Sequence, residues 1–246
     1  MNIDLTRKQR ELEHDKKILE TSSQVWGRAG RAGKSRLKRR AEMIVESCGV
    51  KPGKKVLEIG CGTGSLVKFL VETGADVVAT DIFPEFLELA KKNVGEATNV
   101  EFKIEDAQIL ASFPDESFDV VCGLSILHHL NVNLTLKNIY RVLKPGGVMA
   151  FSEPNMLNPQ IAIQKNIPLI KRWLGDSPDE TAFFSWQMRR LLRGTGYQDV
   201  EIRSFDFLHP AIPDSLANIC ETCGKILEKI PLIKEIGGSL FIYAKK

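Results

Sequence analysis

Gly60, Gly62 and Gly64 follow an apolar run, and one carboxylate, Glu58, lies inside that run, in the stretch VLEIGCGTGSL (56–66). Glycines so spaced let the backbone turn tightly and let a ligand lie against the main chain. Two phosphate chemistries can be tested against this loop. A dinucleotide fingerprint reads GxGxxG, and Ser65 stands where its third glycine would be. A P-loop needs Lys followed by Ser or Thr after its last glycine, and Ser65-Leu66 supplies neither. Glu58 would also repel a polyanion, so the loop favours a ligand that carries positive charge. Elsewhere, the residues able to move protons are His128 and His129 after a fourth strand, Glu153 at the end of a fifth, and His209 after a sixth. Cys220 and Cys223 form a lone CxxC. Without a second pair to complete four zinc ligands, they read as two thiols packed on one helix face, and no metal site is expected.

These residues need a frame. Apolar strand-like runs alternate with helical periodicity from residue 55 to 154: KVLEIGC, DVVATD, VEFKIED, FDVVCGLS and VMAFSEP, separated by helices at 65–74, 84–94 and 133–147. That alternation predicts an α/β fold, a parallel sheet with helices on both faces. Open sheets of this kind bind ligands beyond the carboxyl ends of their strands, where strand order reverses. SWQMRRLLRGTG (185–196) reads as a helix with Ser185 as cap and Gly194 after its end, and two further strands, DVEIRSFDF and SLFIYAKK, complete seven strands. Before the sheet, the pattern predicts a polar helix at 6–20, a loop at 27–34 and a helix at 35–48.

The chain has 246 residues and a net charge of +3. Residues 25–40 hold seven basic residues and no acid, a segment suited to nucleic acid, an anionic lipid surface or a phosphorylated small molecule. No apolar run is long enough to span a bilayer. The charged start is unlike a signal peptide, and the five scattered cysteines fit reduced thiols, so a cytoplasmic location is expected. IPLIKRWLG at 167 and IPLIKEIGG at 230 echo each other as amphipathic segments. Core or lid packing is the stronger expectation for them, although either could lie on a membrane surface as a peripheral contact.

The motif series resembles class I S-adenosylmethionine-dependent methyltransferases, and within them the small-molecule group of ubiquinone and menaquinone biosynthesis enzymes (methyltransferase type 11). VLEIGCGTG (56–64) resembles the family's signature loop, VVATDIFPEFLELAKKN (77–93) its second-strand segment, IEDAQIL with FPDESFDVV (104–121) the third-strand motif and the run into strand four, and LKPGG (143–147) the turn before strand five. The resemblance covers about residues 50 to 155. It implies a Rossmann-like, seven-stranded, mostly parallel sheet and S-adenosyl-L-methionine as cofactor. It also implies a binding set of Glu58, Gly60, Cys61, Gly62, Gly64, Asp81 (both ribose hydroxyls), Ile82 (beside the adenine), Asp106 (the adenine amino group), Ala107, Leu124 and Ser125. Alternatives stand beside these roles. Asp81 and Asp106 could cap the helices that follow, and Glu58 could serve loop amides alone.

A sulfonium already activates its methyl group, so the enzyme must align the acceptor and exclude water. A base is needed where the acceptor is a hydroxyl, a protonated amine or a carbon acid. His128 is the first candidate, with His129, Glu153 and His209 behind it. The sequence lacks the strand-four motifs of enzymes that methylate base amino groups or cytosine carbon, and no acid triad suggests a magnesium site. The expectation is therefore metal-independent methyl transfer to an oxygen or carbon of a small-molecule, sugar or lipid-linked acceptor. Competing readings are an RNA-modifying methyltransferase led by the basic arm 25–40, a non-catalytic S-adenosylmethionine-binding module, and aminopropyl transfer. Residues 1–49 read as an N-terminal helical lid or arm, and 50–246 as the methyltransferase domain with insertions at about 154–182 and 208–238. Arg36 or Arg40 could meet an acidic ligand. Trp26, Trp173, Phe183, Phe184 and Trp186 could wall an acceptor site or lie in the core.

Overall fold

The computed structural model describes residues 30–246 except Gly175 and Pro178. The expected helix at 6–20, Trp26 and the basic stretch before residue 30 lie outside the described residues. The chain divides into two compact units. The sheet unit gathers Lys38–Glu153, Trp186–Ile202 and Phe241–Lys246, and the second unit gathers the residues up to Leu37, Pro154–Ser185 and Arg203–Leu240.

The sheet has seven strands: β1 (Lys55–Ile59), β2 (Asp76–Asp81), β3 (Val100–Ile104), β4 (Phe118–Leu124), β5 (Leu143–Pro154), β6 (Gln198–Phe205) and β7 (Ser239–Lys245). Their order is β3-β2-β1-β4-β5-β7-β6. β1 pairs in parallel with both β2 and β4, and β2–β3 and β4–β5 are also parallel. Strand order therefore reverses between β1 and β4. β1 and β2 are buried along all but their first residue, as strands covered on both faces must be. Glu58 pairs across with Ala79 on one side and Cys122 on the other, so a carboxylate sits in the middle of this apolar layer.

The helices among the described residues are α1 (Arg31–Cys48), α2 (Val67–Glu72), α3 (Pro84–Val94), α4 (Val132–Val142), α5 (Pro159–Asn166), α6 (Pro168–Trp173), α7 (Ser185–Thr195) and α8 (Ala217–Leu227). Local chemistry sets their ends. Pro84 opens α3 in its first turn, Lys91 and Lys92 stand in its last, and Gly95 at φ 79° stops it. Asn131 caps α4 by accepting from Leu134 N.

Two boundaries differ from the sequence expectation. The helix expected to run through LKPGG ends at Val142, and β5 begins at Leu143. Pro145 cannot continue a helix. A register shift between Phe118 and Val120 accommodates the irregular stretch, and Gly146 and Gly147 exchange backbone bonds with Lys246. α1 begins at Arg31, four residues early. Asp214 accepts from Arg31 N at 2.7 Å and Lys34 N bonds Gly30 O at 3.0 Å, so a distant acid supplies the N-terminal acceptor that the local sequence lacks.

The second unit is held by polar pins around a small core. Asn155 N bonds Gly238 O, and its side-chain amide donates to Glu235 O and Gly237 O at 2.8 and 2.7 Å. Lys165 reaches Asp176 and Glu180 at 2.8 and 3.2 Å, all three mostly buried. Ala32, Leu208 and Ala217 form a buried cluster with Ile212 and Cys220 packed on it. Cys223 is exposed, so the two thiols do not share one packed face: positions three apart on α8 diverge at the edge of this small core. No helix among the described residues is long and apolar enough to cross a membrane.

Candidate functional site

The sheet unit brings the carboxyl ends of β1 to β5 together around the reversal point. The β1 loop is shaped by its own backbone. Cys61 N bonds Thr80 O at 2.8 Å and Gly64 N bonds Cys61 O at 2.9 Å, and Gly60, Gly62 and Gly64 have φ of 64°, 51° and 78°. At Gly60 glycine is required twice: the dihedral is left-handed, and a Cβ would lie 2.5 Å from Ile126 Cγ1 and Cδ1. Gly60→Ala is expected to destabilise the fold by about 1–3 kcal/mol through strain and overpacking. Urea unfolding measures this, and an unchanged midpoint would mean that Ile126 yields freely.

Asp81 closes the loop from the end of β2. Its Oδ2 accepts from Gly62 N at 2.8 Å and its Oδ1 from Phe83 N at 3.0 Å. One carboxylate thus ties the glycine loop to the residue that begins α3, and each oxygen keeps a lone pair for another donor. Burial raises the Asp81 pKa above the ordinary carboxylate value, opposed by the amides of Phe83, Gly62 and Ile82. Ile82 follows directly in chain and is half-buried. At the end of β3, Asp106 Oδ1 accepts from Gln108 N at 2.9 Å, and Ala107 is buried beside it.

Sequence reasoning passed over Glu105. Its carboxylate accepts from Asp106 N, Ala111 N and Ser112 N and meets the Ser112 hydroxyl, so it folds the 106–112 loop that presents Asp106. The sequence offered only the Glu105-Asp106 doublet just past the strand, which does not say which acid faces inward.

After β4 the chain turns sharply. Leu124 ends the strand, and Ser125 adopts φ 55° with its N–H bonded to Ser152 O at 2.8 Å. Glu153 then holds the turn. Its Oε1 accepts from Ile126 N and Leu127 N at 3.0 and 2.9 Å, and its Oε2 meets His128 Nδ1 at 2.7 Å. Both side chains of that ion-pair geometry are buried. The carboxylate can only accept, so His128 donates from Nδ1, and in the neutral ring Nε2 is the acceptor nitrogen. The His129 ring lies 4.1 Å from the His128 ring, centroid to centroid.

His128, His129 and Glu153 are therefore brought together, whereas His209 belongs to the second unit. There its ring meets the Gln160 amide at 2.8 Å and accepts from Ala211 N. Burial and the Arg36 charge lower its pKa, against a pull from Asp206. Arg36 has Asp206 as its partner at 2.8 Å. Phe183 is core, while Trp173 and Trp186 are exposed.

The donor set has a definite electrical character. Glu58 and Asp81 are both buried acids, and residues 56–66 include no Lys or Arg. Burial, then the charges of Glu58 and Asp81, drives the Cys61 thiol far up, which keeps it protonated and unreactive. An acidic, glycine-floored site fits a cationic ligand with a vicinal diol, and does not fit a phosphate.

The family described as "Methyltransferase domain" matches residues 57–151. That segment is a methyltransferase domain. The matched segment runs from β1 to β5 and contains Glu58, the glycine loop, Asp81, Asp106, Ser125, His128 and His129, while Glu153 lies two residues beyond it. A demethylmenaquinone methyltransferase of Tropheryma whipplei is 36% identical over 110 residues, 43% of this chain and 45% of that protein. A ubiquinone biosynthesis O-methyltransferase of Pseudomonas fluorescens is 37% identical over 123 residues, 49% of this chain and 52% of that protein. The chain spans about half the length of the curated relatives it matches. Among solved structures, a SAM-dependent methyltransferase from Archaeoglobus fulgidus superposes with a TM-score of 0.60 at 19% identity, covering 85% of this chain and 94% of that one. The fold is the Rossmann-like class I methyltransferase fold, as expected from the motif series.

Proposed function

We propose that the chain is an S-adenosylmethionine-dependent methyltransferase acting on an oxygen or carbon of a small-molecule acceptor. One observation carries the reading: at the reversal point of a methyltransferase domain, the Asp81 carboxylate bridges the glycine loop and the start of α3, with a second buried acid, Glu58, on the neighbouring strand. The ribose hydroxyls would donate to Asp81. The amides and close backbone of Gly60, Cys61, Gly62 and Gly64 would floor the site, and Glu58 would favour its positive charge. Asp106 would accept from the adenine amino group, with Ile82 and Ala107 against the ring and Leu124 and Ser125 closing the β4 side. When bound, S-adenosylmethionine supplies an electrophilic methyl group. The chain's own contribution is to align the acceptor, exclude water and take a proton, the last at His128 Nε2.

The quinone-biosynthesis relatives support a small-molecule acceptor, and a lipid-linked one is the finer reading we favour. The pairing of Arg36 with Asp206 weakens the RNA reading of the basic arm. We also propose residues 1–49 as a lid or arm on a domain of 50–246. Calorimetric titration with S-adenosylmethionine, S-adenosylhomocysteine and NAD tests the assignment. Binding of the first two and not the third is expected. Binding of NAD alone, or of none, would overturn it.

A further inference from the structure

Twelve of the sixteen large apolar side chains that stand exposed among the described residues belong to the second unit, in two stretches, 163–174 and 216–236. Sequence reasoning favoured core or lid packing for both. Instead Leu169 is 79% exposed, Trp173 82% and Leu232 84%. In the first stretch Leu169 and Trp173 are four apart and share one side of α6, while Ile163 lies in α5 and Ile167 at the junction of the two helices. Packing inside this unit does not account for them, and leaving so much apolar surface in water is costly.

We infer that these two stretches form a docking face for an anionic lipid bilayer. The stretch 163–174 contains Lys165, Lys171 and Arg172 and no acid. Lys165 is committed to Asp176 and Glu180 and Lys171 donates to Glu180 O, and Arg172 stands beside Trp173 at the exposed end of α6. In 216–236 the three acids each have partners within the unit. Glu221 takes the Ser35 hydroxyl and Lys225, Glu228 accepts from Asp206 N, and Glu235 takes the Ser204 hydroxyl. Lys229 remains among exposed apolar neighbours, Ile226 and Ile230. Apolar side chains with a Trp at their margin and flanking cations match the acyl boundary and the headgroup layer of an anionic membrane.

The two stretches also leave from one place. Asn158, the cap of α5, donates to Ile236 O at 2.8 Å, three residues from where Asn155 is pinned to Glu235 O and Gly237 O. Two such stretches offer a broad surface rather than a single helix seam, which favours a bilayer over the helix of a second copy. No helix among the described residues is long and apolar enough to cross a membrane, so the contact inferred is with the bilayer surface. This inference is independent of the reaction.

The test is flotation of the full chain with phosphatidylcholine vesicles and with vesicles that also contain phosphatidylglycerol, at low and high salt. Wild type is expected to float with the mixed vesicles, and less at high salt or without phosphatidylglycerol. Leu169→Ser combined with Trp173→Ser should weaken this at least about tenfold, and Arg172→Glu with Lys229→Glu should remove the preference for anionic lipid. Circular dichroism and S-adenosylmethionine binding should be unchanged in both variants. Absence of flotation by wild type, or flotation indifferent to Leu169 and Trp173, overturns the inference. So does a dimer in sedimentation velocity that the apolar variant dissociates, which would assign the face to a second copy.

Discussion

Asp81→Ala is expected to lower affinity for S-adenosylmethionine by about 10- to 150-fold, the equivalent of about 1.5–3 kcal/mol for hydrogen bonds to a charged acceptor. The loss has two sources, since the same carboxylate receives Gly62 N and Phe83 N. Asp81→Asn should be nearly as damaging: one oxygen becomes an NH2 group facing a backbone N–H. Titration calorimetry reads both variants. An affinity within about twofold of wild type would place the ribose elsewhere.

Acid separates binding from folding at this residue. Burial raises the pKa of Asp81, so it takes up its proton at a higher pH than an ordinary carboxylate. Cofactor affinity should therefore fall as pH drops through that raised value, because the protonated form accepts hydroxyl donors less well. Folding responds with the opposite sign. A carboxylate whose folded pKa is raised contributes stability below its unfolded pKa and loses it as pH rises through the folded value. On acidification, this residue's contribution to the free protein should thus improve while the thermal shift produced by S-adenosylmethionine shrinks. Differential scanning fluorimetry across acid pH, on wild type and Asp81→Ala, distinguishes the two.

Glu153→Gln should reduce kcat by about 10²- to 10⁴-fold, the usual contribution of a general base, while leaving the fold nearly intact. A glutamine oxygen can still accept from Ile126 N and Leu127 N. Its NH2 group must then face His128 Nδ1, which becomes the acceptor and sends the ring proton to Nε2. The imidazole keeps its place and loses its basic nitrogen on the working side. Glu153→Ala should instead unfold more easily, by about 2–5 kcal/mol, since it strands two buried amides and a buried ring. Single-turnover rates with an identified acceptor, read beside thermal melts, separate these effects. Full activity in Glu153→Gln would remove His128 from proton transfer.

Most of the sheet was legible because its signals are local. Buried parallel strands are short apolar runs, and glycine, proline and lysine mark where their helices stop. The glycine loop and Asp81 were legible for the same reason, each sitting at a fixed offset from a strand end. What stayed hidden depends on partners far along the chain. Asp214 lets α1 start at Arg31 across 183 residues. Glu153 and His128 each invited attention, but 25 residues separate them, and only the neighbouring positions of β4 and β5 make them a pair. Glu105 was overlooked because a doublet of acids does not say which one faces inward. The amphipathic echo at 167 and 230 was visible, but periodicity cannot say whether an apolar stripe meets protein or water.

The strand order has a consequence for biosynthesis. β7 follows β6 in the chain yet lies between β5 and β6 in the sheet. As the polypeptide emerges from the ribosome, β1 to β5 can assemble in sequence, but β6 has no neighbour to join until β7 arrives to fill the gap. Until then β5 presents an unpaired edge, the kind of surface on which nascent chains associate wrongly. The last strand acts as a keystone, so the second half of the sheet can close only in a late step.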